Sequence, residues 1–406
     1  MKYLVLIDRK YPYEKGETFI ESEINEISKY FDRIIIYPIN AYTAEKQTRT
    51  IEANNVEVKV LNKIGYKYKK YLYFLKSLPI MLAKRCNYKD AYAIAVGKYF
   101  SKKIYKDLNN KISFSDKDDI YLYSYWLYTP AVIATFLKEK FLSNKVNCHA
   151  ISRAHGFDIY EYNHYLPCRE YLLQKLDKIV CISNNGYNYL KEKYPTYENK
   201  ITTSYLGTYD HGQSNGSDKN SFNIVSCSRI IPLKRVNRII EALKIMDKTK
   251  QKRIVTWYHI GDGDGLEELM KAAKESFKNI KFNFVGYLKN SDVYEFYKNN
   301  KIDLFINVSS TEGLPVSIME AISFGIPCIA TDVGGTSEIV IDNITGKLIS
   351  KDFENNLLAE EIEKIINMKQ EDYNKLRKNT RNYWIENYQA KNNFENFAKK
   401  VLNDCK

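Results

Sequence analysis

Two glutamates, Glu312 and Glu320, stand in the segment Asn307-Val-Ser-Ser-Thr-Glu312-Gly313-Leu314-Pro315-Val-Ser-Ile-Met-Glu320-Ala321. Pro315 suits the first turn of a helix, where its missing N–H costs nothing. Gly313 and Leu314 then offer backbone amides at a helix N-terminus, a ready site for phosphate. Glu320 lies five residues beyond Pro315, roughly 7.5 Å along at about 1.5 Å per residue. Two carboxylates bracketing an anion site at that separation could hold the hydroxyls at both ends of a sugar–diphosphate–ribose ligand. Taken singly, each glutamate would read as a helix-terminus or surface residue worth under about 1 kcal/mol.

A second constellation, Cys227-Ser228-Arg229-Ile-Ile-Pro232-Leu-Lys234-Arg235, follows the apolar run Phe222–Ser226. Arg229 offers a fork for two oxygens and Lys234 a point contact. A departing nucleoside diphosphate gains charge as its bond breaks, and fixed cations stabilise that charge. Arg235 and Arg238 read as exposed helix residues. The segment Tyr258-His259-Ile260-Gly261-Asp262-Gly263-Asp264-Gly265 is not a dinucleotide fingerprint, because Leu266 stands where a third glycine is required. Nor is it a calcium loop, which needs a bidentate glutamate much further on. It reads as a tight strand-to-helix turn lining a nucleotide pocket, with His259 a packed strand residue.

Taken in order, Ser228-Arg229 with Lys234, Gly261-Asp-Gly263, Phe284-Val-Gly286, Glu312-Gly313 with Glu320, and Gly334-Gly335-Thr-Ser-Glu338 resemble the donor half of family-4 retaining glycosyltransferases of the GT-B fold. The resemblance covers about 222–349. It implies sugar transfer from a nucleotide sugar, UDP- or GDP-linked, with retained configuration, no required cofactor and no metal. It also implies that Arg229 and Lys234 bind the diphosphate, that Glu320 holds the ribose, and that Glu312 faces the donor sugar. Gly261, Gly286, Gly313 and Leu314 complete the donor-binding set. In the N-terminal half, Ser152-Arg153-Ala-His155-Gly156-Phe-Asp158 resembles the family's acceptor side. There the likeness sets His155 against the transferred sugar as a catalytic residue, with Arg153 and Asp158 shaping the site. The loop Tyr11–Phe19 is similar to the family's glycine loop, with Gly16 facing the phosphates. The sequence departs from the pattern at Ser228, where glycine is common, and at Leu314-Pro315, which replaces Phe-Gly and alters the fit of the sugar. No carboxylate pair presents itself for a double displacement, which would need two carboxyls about 5 Å apart. Front-face transfer, with the leaving phosphate taking the acceptor proton, is therefore expected.

These residues must be positioned by elements that the hydrophobic pattern outlines. Short β-branched runs alternate with longer amphipathic stretches, the sign of α/β layers with parallel sheets. Strands are expected at Tyr3–Ile7, Arg33–Tyr37, Ile120–Tyr123, Asn147–Ser152 and Lys178–Ile182. In the second half they fall at Phe222–Ser226, Ile254–Ile260, Ile280–Val285, Leu304–Val308, Cys328–Ala330 and Gly346–Ile349. The fold class is α/β, with two Rossmann-like doubly wound domains facing across a cleft. The expected division is an acceptor-binding domain over 1–207, a linker over 208–221, a nucleotide-sugar domain over 222–375, and a terminal helix over 376–406 packing back on the first domain. Ligands in such sheets bind beyond the carboxyl ends of the strands, which is where the motifs above stand. Ser183 and Asn184 read as a helix cap.

Composition sets the outer limits. The chain has 406 residues, 44% apolar and 27% charged, enough to bury two cores and too apolar for a disordered protein. Seven scattered cysteines without a C-x-x-C pair argue against a zinc site or disulfide framework and favour a reducing cytoplasm. No apolar run is long enough to span a membrane. The net charge is +13, and thirteen Lys/Arg against Asp90 and Asp107 between Lys63 and Lys111 supply nearly all of it. That stretch is also rich in tyrosine. It fits an anionic membrane surface; a solvated basic helix pair is the plain alternative, and nucleic acid, which the same charge would attract, is not expected as a partner. The expected function is transfer of a hexosyl or N-acetylhexosaminyl unit to a lipid-linked or cell-surface polysaccharide precursor, O-antigen or capsule, at the cytoplasmic membrane face. A GT-B epimerase or phosphorylase, or a non-catalytic membrane- or nucleic-acid-binding protein, are the alternatives.

Overall fold

The run Tyr3–Ile7 is buried along its whole length, which is why it shows no polar alternation: a central parallel strand is covered on both faces. The computed structural model describes residues 1–13, 17–61, 66–84, 86–162, 164–249 and 251–401. Gly16 lies outside them. The chain forms two compact units, Met1–Leu206 with Ala390–Lys406, and Gly207–Gln389.

In the first unit, seven parallel strands are β1 (Lys2–Asp8), β2 (Arg33–Pro38), β3 (Val56–Val58), β4 (Asp119–Ser124), β5 (Asn147–Ala154), β6 (Lys178–Cys181) and β7 (Ile201–Thr203), in the spatial order β3-β2-β1-β4-β5-β6-β7. The order reverses between β1 and β4, so the crevice for a ligand opens at the carboxyl ends of those strands. The edge strands β3 and β7 have three residues each, too few to show a period in the sequence. Ser183 caps the helix Asn184–Lys193 by accepting from the Gly186 amide at 3.1 Å, as its position suggested.

The second unit repeats the plan with β8 (Ser221–Cys227), β9 (Ile254–Ile260), β10 (Lys281–Gly286), β11 (Leu304–Asn307), β12 (Cys328–Thr331) and β13 (Gly346–Ile349), ordered β10-β9-β8-β11-β12-β13. Here the reversal falls between β8 and β11. His259 is indeed a packed strand residue, fully buried, with Nδ1 2.8 Å from the Ser226 hydroxyl.

Residues 208–221, whose composition suggests a linker, are tied along the second unit instead. The Thr208 amide donates to the Tyr388 carbonyl at 3.0 Å, the Arg377 guanidinium donates to the Ser214 carbonyl at 2.6 Å, and the Ser217 amide donates to Asp303 at 2.9 Å. The C-terminal segment also divides. The helix Gln370–Asn387 belongs to the second unit, and only from Ala390 does the chain rejoin the first. There Phe397 is buried with its ring 5.5 Å from that of Tyr123. Among the described residues, no helix is long and apolar enough to cross a membrane.

Candidate functional site

The carboxyl ends of β8 and β11 deliver the two halves of one site. Beyond β8 the chain turns through Ser228 and Arg229 into the short 3-10 turn Pro232–Lys234. Beyond β11 it runs through Val308 to Glu312 before the helix Val316–Ser323. The two loops are fastened together. Lys234 Nζ lies 2.6 Å from Glu312 Oε1, Asn307 Nδ2 donates to the same oxygen at 3.2 Å, and the Ser310 amide donates to the Leu233 carbonyl at 2.9 Å. Arg235, expected as an exposed helix residue, is the strongest fastener: it donates to the carbonyls of Val308 at 2.6 Å, Lys351 at 2.8 Å and Ser309 at 3.1 Å. Its left-handed backbone, φ 49°, turns the side chain back under the loop. Arg238 is likewise held, donating to Asn355 at 2.5 Å, and so is not free on the surface. A narrow crevice lined by Cys227, Ser228, Lys234, Asn307 and Ser309 lies at this junction.

A third loop closes against the first. The Ile230 amide donates to the Asp262 carbonyl at 2.8 Å, and the Gly261 amide donates to the Gly286 carbonyl at 2.9 Å. Gly261 has φ 145°, and a Cβ there would stand 1.8 Å from the Ser228 carbonyl oxygen. Only glycine allows that approach. Gly334 meets the same constraint on the other side, with φ 56° and a Cβ position 1.8 Å from the Glu312 carbonyl oxygen; the Gly335 amide donates to the Gly313 carbonyl at 2.8 Å. Glycines thus let the loops carrying Arg229 and Glu312 be braced by bare backbone.

The two glutamates differ in setting. Glu312 sits in the polar junction with Lys234 and Asn307. Glu320 is buried, accepting from Asn290 Nδ2 at 2.7 Å and the Tyr294 hydroxyl at 3.3 Å, and burial pushes its pKa up to about 7. Asn290 and Tyr294 carry no signal in the sequence that links them to Glu320. Arg229 is exposed. The helix after Pro315 makes its first backbone bonds at Ile318 and Met319, both donating to the Pro315 carbonyl. Pro315 is therefore the N-cap rather than the first turn, and the helix is entered one residue later than expected. Leu314 is buried beneath this entry. Cations, a helix start and two carboxylates in unlike environments suit a ligand that is anionic in the middle and hydroxylated at its ends.

In the first unit, β5 ends at Ala154 and His155 follows. Its ring lies 4.6 Å from that of Trp126, 5.1 Å from Tyr125 and 5.3 Å from Phe19. Neither ring nitrogen has a hydrogen-bond partner among the described residues. Burial, aided by the nearby Arg153 charge, holds its pKa well below the ordinary histidine value, so the ring is neutral. Arg153, expected to shape the acceptor side, is wholly buried. Its guanidinium pairs with Glu23 at 3.0 Å, donates to the Tyr123 hydroxyl at 2.7 Å and to the Ser204 carbonyl at 2.9 Å. It is a core residue because β5 turns it toward the layer that carries Glu23. Asp158 is buried as well. It accepts from the Leu127 amide at 2.6 Å and the His155 amide at 2.5 Å, fixing the His155 turn rather than presenting a carboxylate outward. Burial pushes its pKa up to about 7. Glu17 was overlooked in the sequence; it accepts from Trp126 Nε1 at 2.6 Å and from the Lys10 and Tyr11 amides at 3.1 Å, bracing the ring beside His155.

Residues 210–383 match the family model described as glycosyl transferases group 1. The chain is 27% identical over 61% of its length to an uncharacterized glycosyltransferase of Methanocaldococcus jannaschii, covering 65% of that protein. It is 28% identical over 43% of its length to the O-antigen biosynthesis glycosyltransferase WbnH of Escherichia coli, covering 47% of it. The chain therefore spans less than two thirds of the curated relatives it matches. Among solved structures, HepE of Anabaena in complex with UDP superposes with a TM-score of 0.68 at 17% identity, over 99% of this chain and all of that one. The fold is thus GT-B, and the matched domain supports a glycosyltransferase.

Proposed function

We propose that the protein is a family-4 retaining glycosyltransferase that moves a hexosyl or N-acetylhexosaminyl unit from a nucleotide sugar to a lipid-linked or cell-surface polysaccharide precursor. The observation that carries this reading is the Lys234–Glu312 pair at the reversal of the second sheet, inside the segment that matches the family model. UDP is the favoured nucleotide because the solved neighbour from Anabaena holds it. The likeness to an O-antigen enzyme of Escherichia coli favours a surface-polysaccharide acceptor, O-antigen, lipopolysaccharide or capsule.

In this reading Arg229 and Lys234 bind the diphosphate, the amides of Gly313 and Leu314 face its oxygens, Glu320 takes the ribose hydroxyls, and Glu312 faces the sugar. Gly261 and Gly286 keep the loops low enough for the nucleotide to approach. The bond from the anomeric carbon to the diphosphate oxygen breaks as the acceptor oxygen bonds on the same face. The leaving oxygen takes the acceptor's proton, and the two cations stabilise the charge that develops on it. Glu312 is ill suited to covalent attack, since its carboxylate already accepts from Lys234 and Asn307. Neutral His155 is assigned to the acceptor side, where an unpaired ring nitrogen can bond a sugar hydroxyl. Gly16, in the family's phosphate-facing loop, completes the donor set. The first unit is assigned acceptor recognition and the second the nucleotide sugar, with the work done at the cytoplasmic face of an anionic membrane, without nucleic acid and without a required cofactor.

The test begins with thermal shift against UDP- and GDP-sugars. A ligand at about 100 times its dissociation constant stabilises by roughly 2.7 kcal/mol, and Arg229→Ala with Lys234→Ala should abolish the shift. A full shift in that double variant, or none in the native protein, overturns the assignment. Retention is read from the anomeric NMR signal of the product. Donor consumed to an epimer or a free sugar phosphate without acceptor would instead indicate the epimerase or phosphorylase chemistry.

A further inference from the structure

The helices Tyr66–Lys84 and Tyr88–Asn109 enclose a hollow of about 550 Å³ lined by Lys76, Lys98, Lys102, Lys103 and Lys106 around Tyr99. Four of these lysines fall at i, i+4, i+5 and i+8 on one side of one helix, an arrangement that is repulsive at the helix surface. Among the described residues, none of the five is ion-paired. Two instead hold their ammonium groups near Tyr99, Lys103 at 4.7 Å and Lys76 at 5.0 Å from the ring centroid. The ring thus draws both charges to the same hollow. Five mutually repelling cations around a concavity are relieved when a polyanion enters it.

A second observation lies beside the first. The Tyr66–Lys84 helix is docked through Tyr73 and Ser77, both fully buried, with Tyr73 packed against Tyr92, Tyr99 and Phe100. On its outward side Leu72, Leu75, Pro79 and Leu82 recur at helical spacing and are exposed, Leu75 at 62% and Leu82 at 74%. Helical spacing sets Lys76 between this stripe and the buried seam.

We propose that this face is an interfacial anchor for an anionic phospholipid bilayer. The Leu72–Leu82 stripe enters the headgroup–acyl boundary, and the lysine hollow receives headgroup phosphates. The pairing of an apolar stripe with an open, lysine-lined hollow is the chemistry of a lipid surface. Nucleic acid would leave the leucines in water. A second copy of this chain would bring five lysines against five. The inference rests on the membrane part of the proposed function and not on its sugar chemistry.

The test is co-sedimentation of the full chain with phosphatidylcholine vesicles and with vesicles in which about a third of the lipid is phosphatidylglycerol. The native protein should pellet only with the anionic vesicles and be released by salt. Lys98→Gln with Lys102→Gln and Lys106→Gln should weaken that binding about 100-fold. Leu75→Ser with Leu82→Ser should weaken it while leaving the salt dependence in place. A matched control, Lys271→Gln with Lys274→Gln and Lys278→Gln on the other unit, should change it less than about 3-fold. A native protein that ignores anionic vesicles overturns the membrane reading and the anchor together. Tight binding by the 98/102/106 variant, or equal loss in the control, overturns the anchor alone. Conversion of a dimer to a monomer by Leu75→Ser with Leu82→Ser, read by sedimentation velocity, also overturns it, since the stripe would then join two chains. The UDP thermal shift of the lysine variant should match that of the native protein, which separates this outcome from failure of the donor site.

Discussion

Glu320 should make the second unit less stable as pH rises, and replacing it with glutamine should remove that loss. Its carboxyl is buried, and its pKa is pushed from the ordinary 4.5 up to about 7. Between those values the unfolded chain releases a proton that the folded chain keeps, so the folded state loses stability as pH rises through the window. The contribution is fully present below pH about 4.5 and gone above about 7. At about 1.36 kcal/mol per unit, the difference between pH 5 and pH 8 comes to about 2.5 kcal/mol. Glu320→Gln keeps an oxygen for Asn290 and Tyr294 and cannot ionise. Urea unfolding followed by tryptophan fluorescence reports the change, since Trp257 and Trp384 both lie in this unit. The native protein should lose about 2.5 kcal/mol relative to the variant between pH 5 and pH 8. Parallel curves across that range would refute the reasoning, because they would mean that water reaches the carboxylate. The same proton links to the ligand. If Glu320 takes the ribose hydroxyls as proposed, they donate to its ionised carboxylate, so UDP affinity should rise with pH near 7 in the native protein by more than the phosphate's own titration provides. In Glu320→Gln only the phosphate part should remain.

Further substitutions follow from the loops and the core. Gly261→Ala and Gly334→Ala each drive a methyl into a carbonyl oxygen and should displace the loops carrying Arg229 and Glu312, lowering UDP affinity at least about 10-fold and reducing the melting temperature. Gly286→Ala, at φ 79° with nothing within 4 Å of the new methyl, should cost only about 1 kcal/mol of stability by urea unfolding while still weakening UDP by blocking close approach. Arg235→Ala removes donors from three loop carbonyls and should cost about 3 kcal/mol by the same measurement. Arg235→Lys should recover less than half of it, since an ammonium cannot serve the three in one plane. Arg153→Met leaves Glu23 as an unpaired buried charge and should cost about 3–5 kcal/mol, with Glu23→Gln in the same chain restoring part of the loss; a variant that folded normally but changed only acceptor affinity would return Arg153 to the acceptor side.

Most of the strands were legible because parallel strands covered on both faces must be continuous apolar runs, as Tyr3–Ile7 and Leu304–Val308 are. The edge strands Val56–Val58 and Ile201–Thr203 were not, since three residues carry no period. For the site, sequence position told which loop a residue occupies but not where its side chain turns. Arg153 and Arg229 both stand near the carboxyl end of a strand, and nothing local separates them. The difference is Glu23, 130 residues from Arg153 in sequence and adjacent only once β5 is laid in its sheet. Lys234 and Arg235 are neighbours that point to different tasks. A single left-handed residue at 235 reverses the backbone, leaving Lys234 on Glu312 and folding Arg235 beneath the Val308 and Ser309 carbonyls. Glycines were the better guides, because their need is local. Gly261 and Gly334 are required wherever two loops touch through backbone alone, and those contacts brace the cationic loop and the acidic loop, each against a further neighbouring loop.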